Sequence, residues 1–232
     1  MVLLQEIKES FLHLLFPHIC AGCGNDMPDK NSTLCVRCIE AMPETHFEMS
    51  ADNPVEKKFW GRLPVKSAAA LYYFTRESLM QRLIHQFKYK GNQELGLQLG
   101  QLMGALLARS GRFKADALIP LPLFPAKERR RGFNQSEVLC RGMAMHLQVP
   151  VLTDVITRPQ HTETQTRKGR IERWKNIEGK FWLANPEKIR NKHILLVDDV
   201  ITTGATLESC GAELLSAGNV AISVACLCYA AH

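Results

Sequence analysis

The stretch ILLVDDVITTGAT, residues 194–206, joins two adjacent carboxylates to a group of small hydroxyl residues. Asp198 and Asp199 come at the end of an apolar run that predicts a buried strand. The residues of the predicted turn and helix start that follow are Thr202, Thr203, Gly204, Ala205 and Thr206. Ionised carboxylates only accept hydrogen bonds, whereas hydroxyls and the free N–H groups at a helix start bind anions. The pattern therefore predicts a phosphate site beside a group that carries hydrogen-bond donors.

A phosphorylated ribose satisfies both halves of this pattern. Its two vicinal hydroxyls are donors for Asp198 and Asp199, and its phosphate suits the threonine loop, where Gly204 lets the backbone approach closely. We therefore predict that Asp198 and Asp199 orient the ribose, while residues 202–206 bind its phosphate.

Four cysteines near the start of the chain form two short pairs, CAGC and CVRC: Cys20, Cys23, Cys35 and Cys38. Each C-x-x-C turn directs two thiolates toward one point, and two such turns complete the tetrahedral four-sulfur shell that Zn²⁺ prefers. The segment is too short to hold an apolar core, so the metal would stabilise it directly. Because four thiolates leave no open position for a substrate, we predict a structural zinc site rather than a disulfide framework.

Composition and charge are those of a globular protein with a mildly basic surface. Hydrophobic side chains make up 46% of the 232 residues and charged ones 22%, which is enough to fill a core. The net charge of +6 and the pI near 8.9 suit an anionic partner such as a phosphorylated ligand or nucleic acid. No run approaches the roughly 20 apolar residues of a transmembrane helix, so we expect no transmembrane segment.

The first residues, MVLLQEIKESFLHLLFPH, predict a helix and not a signal peptide. Glu6, Lys8 and Glu9 interrupt the apolar run, and no small-residue cleavage site follows. The apolar positions share one helical face, which favours packing on the protein itself over the alternative of docking on a membrane surface or a partner. Since no export signal is evident, we expect a cytoplasmic protein.

Strands and helices alternate through most of the chain. Strands are predicted at 67–74, 116–122, 154–158, 181–183, 193–199 and 220–230. Helices are predicted at 78–91, 92–111, 134–147 and 206–217. This alternation predicts an α/β domain with a mostly parallel sheet flanked by helices. In such a sheet ligands bind beyond the carboxyl ends of the strands, which is where Asp198 and Asp199 are expected.

Composition divides the chain into three predicted parts. Residues 1–50 contain the N-terminal helix and the zinc module, and residues 67–232 form the α/β domain. Residues 51–66 are polar and proline-bearing without a clear hydrophobic period, so we predict a linker there. A second stretch without a period, residues 159–179, is polar and basic; its length favours a mobile lid over the site.

The stretch ILLVDDVITTGATL resembles the binding motif for phosphoribosyl pyrophosphate (PRPP) in the type I phosphoribosyltransferases. With CAGCG, CVRC, LIHQFKYKG and IPLPLFPAKERRRGFNQSE in this order, nearly the whole chain is similar to the competence-associated ComF/GntX family. The resemblance implies a type I phosphoribosyltransferase-like domain behind the zinc module. It also implies PRPP as a ligand, with Mg²⁺ chelated mainly by the ligand's own oxygens, and a role in DNA uptake. In such a site Asp198 and Asp199 would place negative charge near the cation that develops on the sugar, so the resemblance implies a catalytic role for both acids.

A phosphoribosyltransferase needs cations for the pyrophosphate half of PRPP, and two basic segments and the predicted lid supply candidates. We predict this role for Lys88, Lys127, Arg131 and Arg167. The alternative for the run KERRR is a solvated charged face, and the alternative for Lys88 is a cation at a helix C-terminus.

Two functions remain open from the sequence. In the first, the protein transfers phosphoribosyl from PRPP to an unidentified acceptor, as a pentosyl glycosyltransferase. In the second, it is a non-catalytic module that handles single-stranded DNA, with the competence machinery as partner, and keeps the fold for ligand binding. Release of pyrophosphate distinguishes the two. The aromatic residues show little clustering beside cations along the chain, so the sequence does not predict a base-stacking platform.

Overall fold

The computed structural model describes residues 18–27, 29, 31–158 and 181–230. Three sequence predictions lie outside the described residues: the N-terminal helix, the lid at 159–179, and the pyrophosphate role of Arg167. Within the described part of the chain, no helix is both long enough and apolar enough to cross a bilayer.

Six strands and seven α-helices make up the described elements. The strands are β1 (Ala68–Tyr73), β2 (Ala117–Pro120), β3 (Ile156–Thr157), β4 (Trp182–Leu183), β5 (His193–Ile201) and β6 (Ala221–Tyr229). The helices are α1 (Val36–Glu40), α2 (Pro54–Lys57), α3 (Leu79–Tyr89), α4 (Gln93–Ser110), α5 (Pro125–Arg131), α6 (Gln135–Leu147) and α7 (Ala205–Leu215). Short 3-10 turns occur at Phe47–Met49 and Pro186–Lys188.

Four strands form one parallel sheet in the order β1, β6, β5, β2. The register places Val197 of β5 between Ala225 of β6 and Pro120 of β2. Residues from Ile194 to Val197 are all buried, as expected for a parallel strand covered on both faces. β5 continues to Ile201, two residues beyond the predicted end, because it keeps pairing with β6 after the acids.

Helices cover both faces of this sheet. The first face packs against α3, α4 and α6, and the second against α2 and α7. Side chains alternate along β5, so Leu195 and Val197 belong to the first apolar cluster and Ile194 and Leu196 to the second. The prediction of a mostly parallel α/β sheet flanked by helices is confirmed.

α4 and α6 cross closely because glycines face the partner backbone. A Cβ on Gly100 would lie 2.3 Å from the carbonyl oxygen of Leu139, and a Cβ on Gly142 would lie 2.2 Å from that of Leu97. A larger residue at either position would push the two helices apart. This contact holds α6 in place, and with it the residues at its N-terminus that meet β5.

The segment predicted as a linker, residues 51–66, packs on the second face of the sheet. Val55, Phe59 and Leu63 are buried in that apolar cluster. Their spacing of four residues puts them on one side of α2 and the turns that follow it. The carboxylate of Glu56 accepts from Arg112 at 2.7 Å and from the backbone N–H of Ala68 at 3.2 Å, which ties the segment to the start of β1.

The strands predicted at 154–158 and 181–183 pair with each other as the antiparallel hairpin β3–β4, outside the central sheet. The edge of the central sheet beside β2 is extended instead by a bridge between Leu118 and Val151. Val155, Ile156 and Phe181 are buried in the apolar cluster of the second face. The hairpin therefore covers that face next to α7.

The cysteine segment packs on α3 and α4. Nε2 of Gln86 donates to the carbonyl oxygen of Ala21 at 2.6 Å. Oε1 of Gln98 accepts from the backbone N and from Oγ1 of Thr33 at 2.8 and 2.7 Å. Leu34, just before α1, is buried in the same apolar cluster as the two helices. The segment is thus part of the main core on the first face.

Candidate functional site: an acid pair at the end of the sheet and a four-cysteine centre

The two acids lie in β5 at the point where the neighbouring strand β2 has ended. The last paired residue of β2, Pro120, stands opposite Val197, so Asp198 and Asp199 come next along β5. Successive side chains of a strand leave it on opposite faces, so the two carboxylates meet different neighbours. Asp199 is buried and Asp198 is partly buried. The acids occupy the carboxyl edge of the parallel sheet, where the alternating pattern predicted a ligand site.

Asp198 is held by the start of α6. Its Oδ1 accepts from Oγ of Ser136 at 3.2 Å and from the backbone N–H of Asp199 at 2.8 Å. Asn134 caps α6 through the N–H of Ser136 and donates to the carbonyl oxygen of Leu121, which brings the helix start to the end of β2. Burial, and next the charge of Asp199, raise the pKa of Asp198 to about 7.

Asp199 forms an ion pair with Lys88 at the end of α3. Nζ of Lys88 lies 2.7 Å from Oδ2 of Asp199, and the two side chains are only 17% and 11% exposed. Lys88, which was predicted to bind pyrophosphate, is therefore paired with Asp199, which was predicted to bind the ribose. Among the described contacts, Oδ1 of Asp199 and Oδ2 of Asp198 are not engaged, so each carboxylate keeps an oxygen that can accept from a ligand.

The loop after β5 places three threonines at the surface beside the acids. Thr202, Thr203 and Thr206 are exposed, and they line a cavity of about 40 Å³ together with Asp198 and the first turn of α7. Gly204 precedes α7 with a φ of 81°, a conformation that other residues adopt only with strain. The N–H groups of the first turn of a helix have no partner within that helix. Of the residues predicted to bind a sugar phosphate, Asp198 and residues 202–206 line this small cavity, whereas Asp199 does not.

The basic run after β2 forms a short helix, α5. Lys127 is exposed, and its Nζ lies 6.0 Å from the ring centroid of Phe124. Arg131 is partly buried; its Nη1 donates to Oε1 of Gln135 at 2.5 Å, and its guanidinium carbon lies 5.6 Å from the ring centroid of Tyr89. Of the two, Arg131 contacts the C-terminal turn of α3, which also carries Lys88.

Sequence reasoning missed two residues beside the acids. Ser136 was seen only as part of a helix, although an Asn two residues before it is a typical N-cap and predicts where α6 begins. Arg158 closes β3, and burial lowers its pKa while the charges of Cys210 and Asp198 oppose that shift. A lone basic residue at the end of a short predicted strand was the available signal for Arg158.

The four cysteines come together in one cluster that could hold a metal ion. Their sulfurs all lie within 4.8 Å of one another, and Sγ of Cys23 lies 3.8 Å from Sγ of Cys35. A tetrahedron with Zn–S bonds of about 2.3 Å has edges of about 3.8 Å, so the spacing fits zinc. Burial opposes ionisation of Cys20, but N–H donors of Cys35, Cys23 and Gly22 outweigh it and lower its pKa to about 6. Burial and the neighbouring sulfurs raise the pKa of Cys38, so a cation is needed to hold all four as thiolates.

The raised pKa of Asp198 predicts a pH dependence of stability. Ionisation is harder in the folded chain than in the unfolded chain, so the free energy of unfolding falls as the pH rises from about 4 through about 7. Asp198→Asn removes this loss. We expect the variant to gain at least about 1 kcal/mol relative to the unchanged protein between pH 5 and pH 8, since one pKa unit corresponds to about 1.4 kcal/mol.

Urea unfolding of both proteins at the two pH values measures this difference. The cysteines are the same in both, so their own titration cancels. Glu187→Gln, at an exposed acid, is the matched control and is expected to show no such gain. A difference between Asp198→Asn and the unchanged protein that stays constant with pH would contradict the raised pKa.

Comparison with known proteins assigns the chain to a family. The model of the phosphoribosyl transferase domain matches residues 134–232, which include α6, the acid pair and the threonine loop. The chain is 31% identical to the DNA utilization protein YhgH of Escherichia coli K12, over 90% of this chain and 89% of that protein. It is 27% identical to competence protein F of Haemophilus influenzae, over 92% and 91% of the two chains, and 25% identical to competence protein ComFC of Bacillus subtilis, over 94% and 87%. The chain therefore belongs to the ComF family, as the motifs of its sequence indicated.

Proposed function

We propose that the protein binds PRPP at the end of β5 and acts in the uptake or utilization of DNA. The observation that carries the proposal is the shared cavity of Asp198 and the threonine loop, in a segment that matches the phosphoribosyl transferase domain. The phosphate of the ligand would lie on Thr202, Thr203, Gly204, Ala205 and Thr206. The ribose hydroxyls would donate to the free carboxylate oxygens of Asp198 and Asp199.

The contacts of each acid divide their roles. Asp199 is paired with Lys88 through Oδ2, so its other oxygen, Oδ1, is the one that can accept from a ribose hydroxyl. The hydrogen bond from Ser136 fixes the orientation of the Asp198 side chain. The free oxygen of Asp198, Oδ2, therefore also has a fixed direction. Both acids would also stabilise positive charge that develops on the sugar ring when the pyrophosphate leaves. Lys88 therefore positions an acid in this proposal, instead of binding pyrophosphate directly.

Pyrophosphate would lie toward the segment between β2 and α6. Arg131 is partly buried there, and Lys127 and Arg167 are the other predicted cations of this group. Mg²⁺, bound mainly through oxygens of PRPP, would neutralise part of the pyrophosphate charge. Transfer of the phosphoribosyl group to an acceptor, with release of pyrophosphate, is the reaction that this arrangement serves.

The DNA role rests on the relatives, whose names are DNA utilization protein and competence protein. We propose a structural zinc ion in the four-cysteine centre, because a closed shell of four sulfurs has no position for a substrate. A thiolate centre of this kind persists in a reducing compartment, which supports a cytoplasmic location. The competence machinery would be the partner, as the names of two relatives suggest.

One surface supports the second candidate, a non-catalytic module that handles single-stranded DNA. No residue of α5 is fully buried, and its Lys127, Arg129 and Arg130 are exposed. Tyr89 is 60% exposed, and its ring centroid lies 5.1 Å from that of His85 and 5.6 Å from the guanidinium carbon of Arg131. An exposed ring beside a cation is the unit on which nucleic acid bases stack. The fold thus assembles a stacking unit that the linear sequence does not show.

Titration with PRPP in the presence of Mg²⁺, with and without single-stranded DNA, tests the function. We expect a dissociation constant for PRPP between about 1 μM and about 1 mM, the range of typical enzyme substrates. Pyrophosphate release in the presence of nucleobases, nucleotides or DNA ends identifies a transferase. Binding of single-stranded DNA that weakens steeply with salt, without any pyrophosphate release, supports the non-catalytic module. Absence of PRPP binding would overturn the proposed site.

A further inference from the structure

Arg158 is held between two aromatic rings at the end of β3. Its guanidinium carbon lies 3.6 Å from the ring centroid of Phe124 and 5.1 Å from that of Phe181. Phe124 is the residue before α5, and Phe181 is the residue before β4. The rings restrict the planar guanidinium to one orientation, so its N–H donors point in fixed directions.

The Nε atom of Arg158 is buried and has no hydrogen-bond partner in the protein. Among the side-chain nitrogens and oxygens of the described residues, it shares this state only with Nε of Arg131. Guanidinium donors at buried positions are normally satisfied by carboxylate or phosphate oxygens. Asp198 is the acid whose charge acts on Arg158, but its carboxylate does not accept a hydrogen bond from Nε of Arg158. The oriented donor of Arg158 is therefore suited to the oxygen of an anionic ligand.

The position of Arg158 relative to Arg131 and the acid pair indicates which part of an anionic ligand it would contact. Arg131 stacks on Tyr89 of α3, on the first face of the sheet, whereas Arg158 lies near Cys210 of α7, on the second face. The two arginines therefore flank the acid pair from opposite faces. Both also contact the chain between β2 and α6, because Arg131 belongs to it and Arg158 stacks on its Phe124.

We propose that Arg158 binds the diphosphate group of PRPP; this inference rests on the function proposed above. The loop at residues 202–206 already provides the site for the 5′-phosphate. Arg158 adds a cation with a fixed orientation on the side of the segment after β2, where the leaving diphosphate would lie. A guanidinium that offers parallel donors to a phosphate also orients it, so Arg158 would select for ligands that carry the diphosphate.

Binding of two probes, PRPP and ribose 5-phosphate, to Arg158→Gln and Arg158→Lys tests the inference. Ribose 5-phosphate carries the sugar and the 5′-phosphate without the diphosphate. We expect Arg158→Gln to weaken PRPP binding about tenfold or more, as the loss of a charge-assisted hydrogen bond does, and to change ribose 5-phosphate binding less than twofold. Arg158→Lys keeps the charge and loses the planar stack, so we expect an intermediate loss for PRPP only. Arg130→Ala removes an exposed arginine of α5 and is the matched control, with both affinities unchanged.

Each result supports or overturns the inference. Retained binding of ribose 5-phosphate shows that a variant is folded; if Arg158→Gln does not fold, Arg158→Lys decides. Equal losses for both probes would place Arg158 at the 5′-phosphate or give it a structural role, and no loss for either would exclude it from the site; both results overturn the proposal. If the unchanged protein binds PRPP normally, either failure leaves the proposed function standing. If the unchanged protein binds neither probe, the proposed function and this inference both fail.

Discussion

An Asp198→Asn, Asp199→Asn double variant is expected to lose at least about 100-fold in affinity for PRPP. Two ribose hydroxyls donate to the two carboxylates in the proposed complex, and each charge-assisted hydrogen bond contributes about 1.5–3 kcal/mol. An amide keeps the size of a carboxylate but is neutral and carries two donors, which conflict with the hydroxyl donors. Titration calorimetry with PRPP and Mg²⁺ on both proteins measures the loss.

The fold should survive the double substitution because the two substitutions change the stability in opposite directions. Asparagine at 198 removes a carboxylate that is difficult to ionise at its buried position. Asparagine at 199 leaves Lys88, whose side chain is only 17% exposed, without its counter-ion, which is destabilising. Adding Lys88→Met to the double variant removes the unpaired charge, so this triple variant shows whether a loss of PRPP affinity follows from the ligand site or from instability.

Glu56→Gln is the matched control for the loss of a buried acid. Glu56 forms an ion pair with Arg112 at 2.7 Å and binds the N–H of Ala68 at the start of β1, which is the opposite edge of the sheet. We expect this variant to lower the melting temperature and leave the affinity for PRPP unchanged. Unchanged PRPP affinity in the double variant, with the fold intact, would remove Asp198 and Asp199 from the binding site.

The sequence could locate the strand, the acids and the threonine loop because they are contiguous. An apolar run ending at Val197, two acids and a glycine before a helix describe the local structure without any long-range contact. The two pairs of cysteines are also close together in the sequence, and their spacing alone predicts four sulfurs around one point. Local order of this kind accounts for the confirmed fold class and for the residues that surround the cavity.

The partners of the acids could not be predicted, because they come from distant parts of the chain. Ser136 reaches Asp198 across 62 positions, through the packing of α6 on α4 and on the sheet. In the sequence, Lys88 is only a cation at the end of a predicted helix. Its ion pair with Asp199 depends on how α3 packs against β5. The role proposed for Arg158 depends on its stacking against Phe124, which comes from a distant part of the chain. The buried side of residues 51–66 is a different case. Apolar residues four positions apart are visible there in the sequence, but the segment was predicted to be a linker.

Loss of the metal is expected to have the largest effect on stability. The cysteine segment shares one apolar cluster with α3 and α4, to which it contributes Cys20, Met27, Leu34, Cys38 and Met42. A segment of this length orders through its metal, so metal removal should free these side chains and expose the faces of both helices. We expect a melting temperature lower by about 10 °C or more, since each kcal/mol shifts it by about 2–4 °C in a protein of this size.

Cys23→Ser is the sharpest variant for this test. Cys23 is exposed, so serine replaces a ligand without disturbing the packing of the core. We expect elemental analysis to find one zinc ion per chain in the unchanged protein and much less in Cys23→Ser. Cys140→Ala removes a buried thiol outside the four-cysteine centre and is the control, with the metal content unchanged. A Cys23→Ser protein that keeps its metal or its melting temperature would contradict a structural zinc site.

The same variant should also weaken PRPP binding, because one helix contacts both centres. Gln86 of α3 donates to the carbonyl oxygen of Ala21 at 2.6 Å, and Lys88, two residues later, pairs with Asp199 at 2.7 Å. When the cysteine segment loosens, the last turn of α3 loses this anchor and Lys88 is less well placed. Gln86→Ala removes the anchor without touching a metal ligand, so we expect a loss of PRPP affinity of about threefold to tenfold with the zinc retained. If Gln86→Ala and Cys23→Ser both leave the affinity for PRPP unchanged, the two centres are independent and α3 serves only the core.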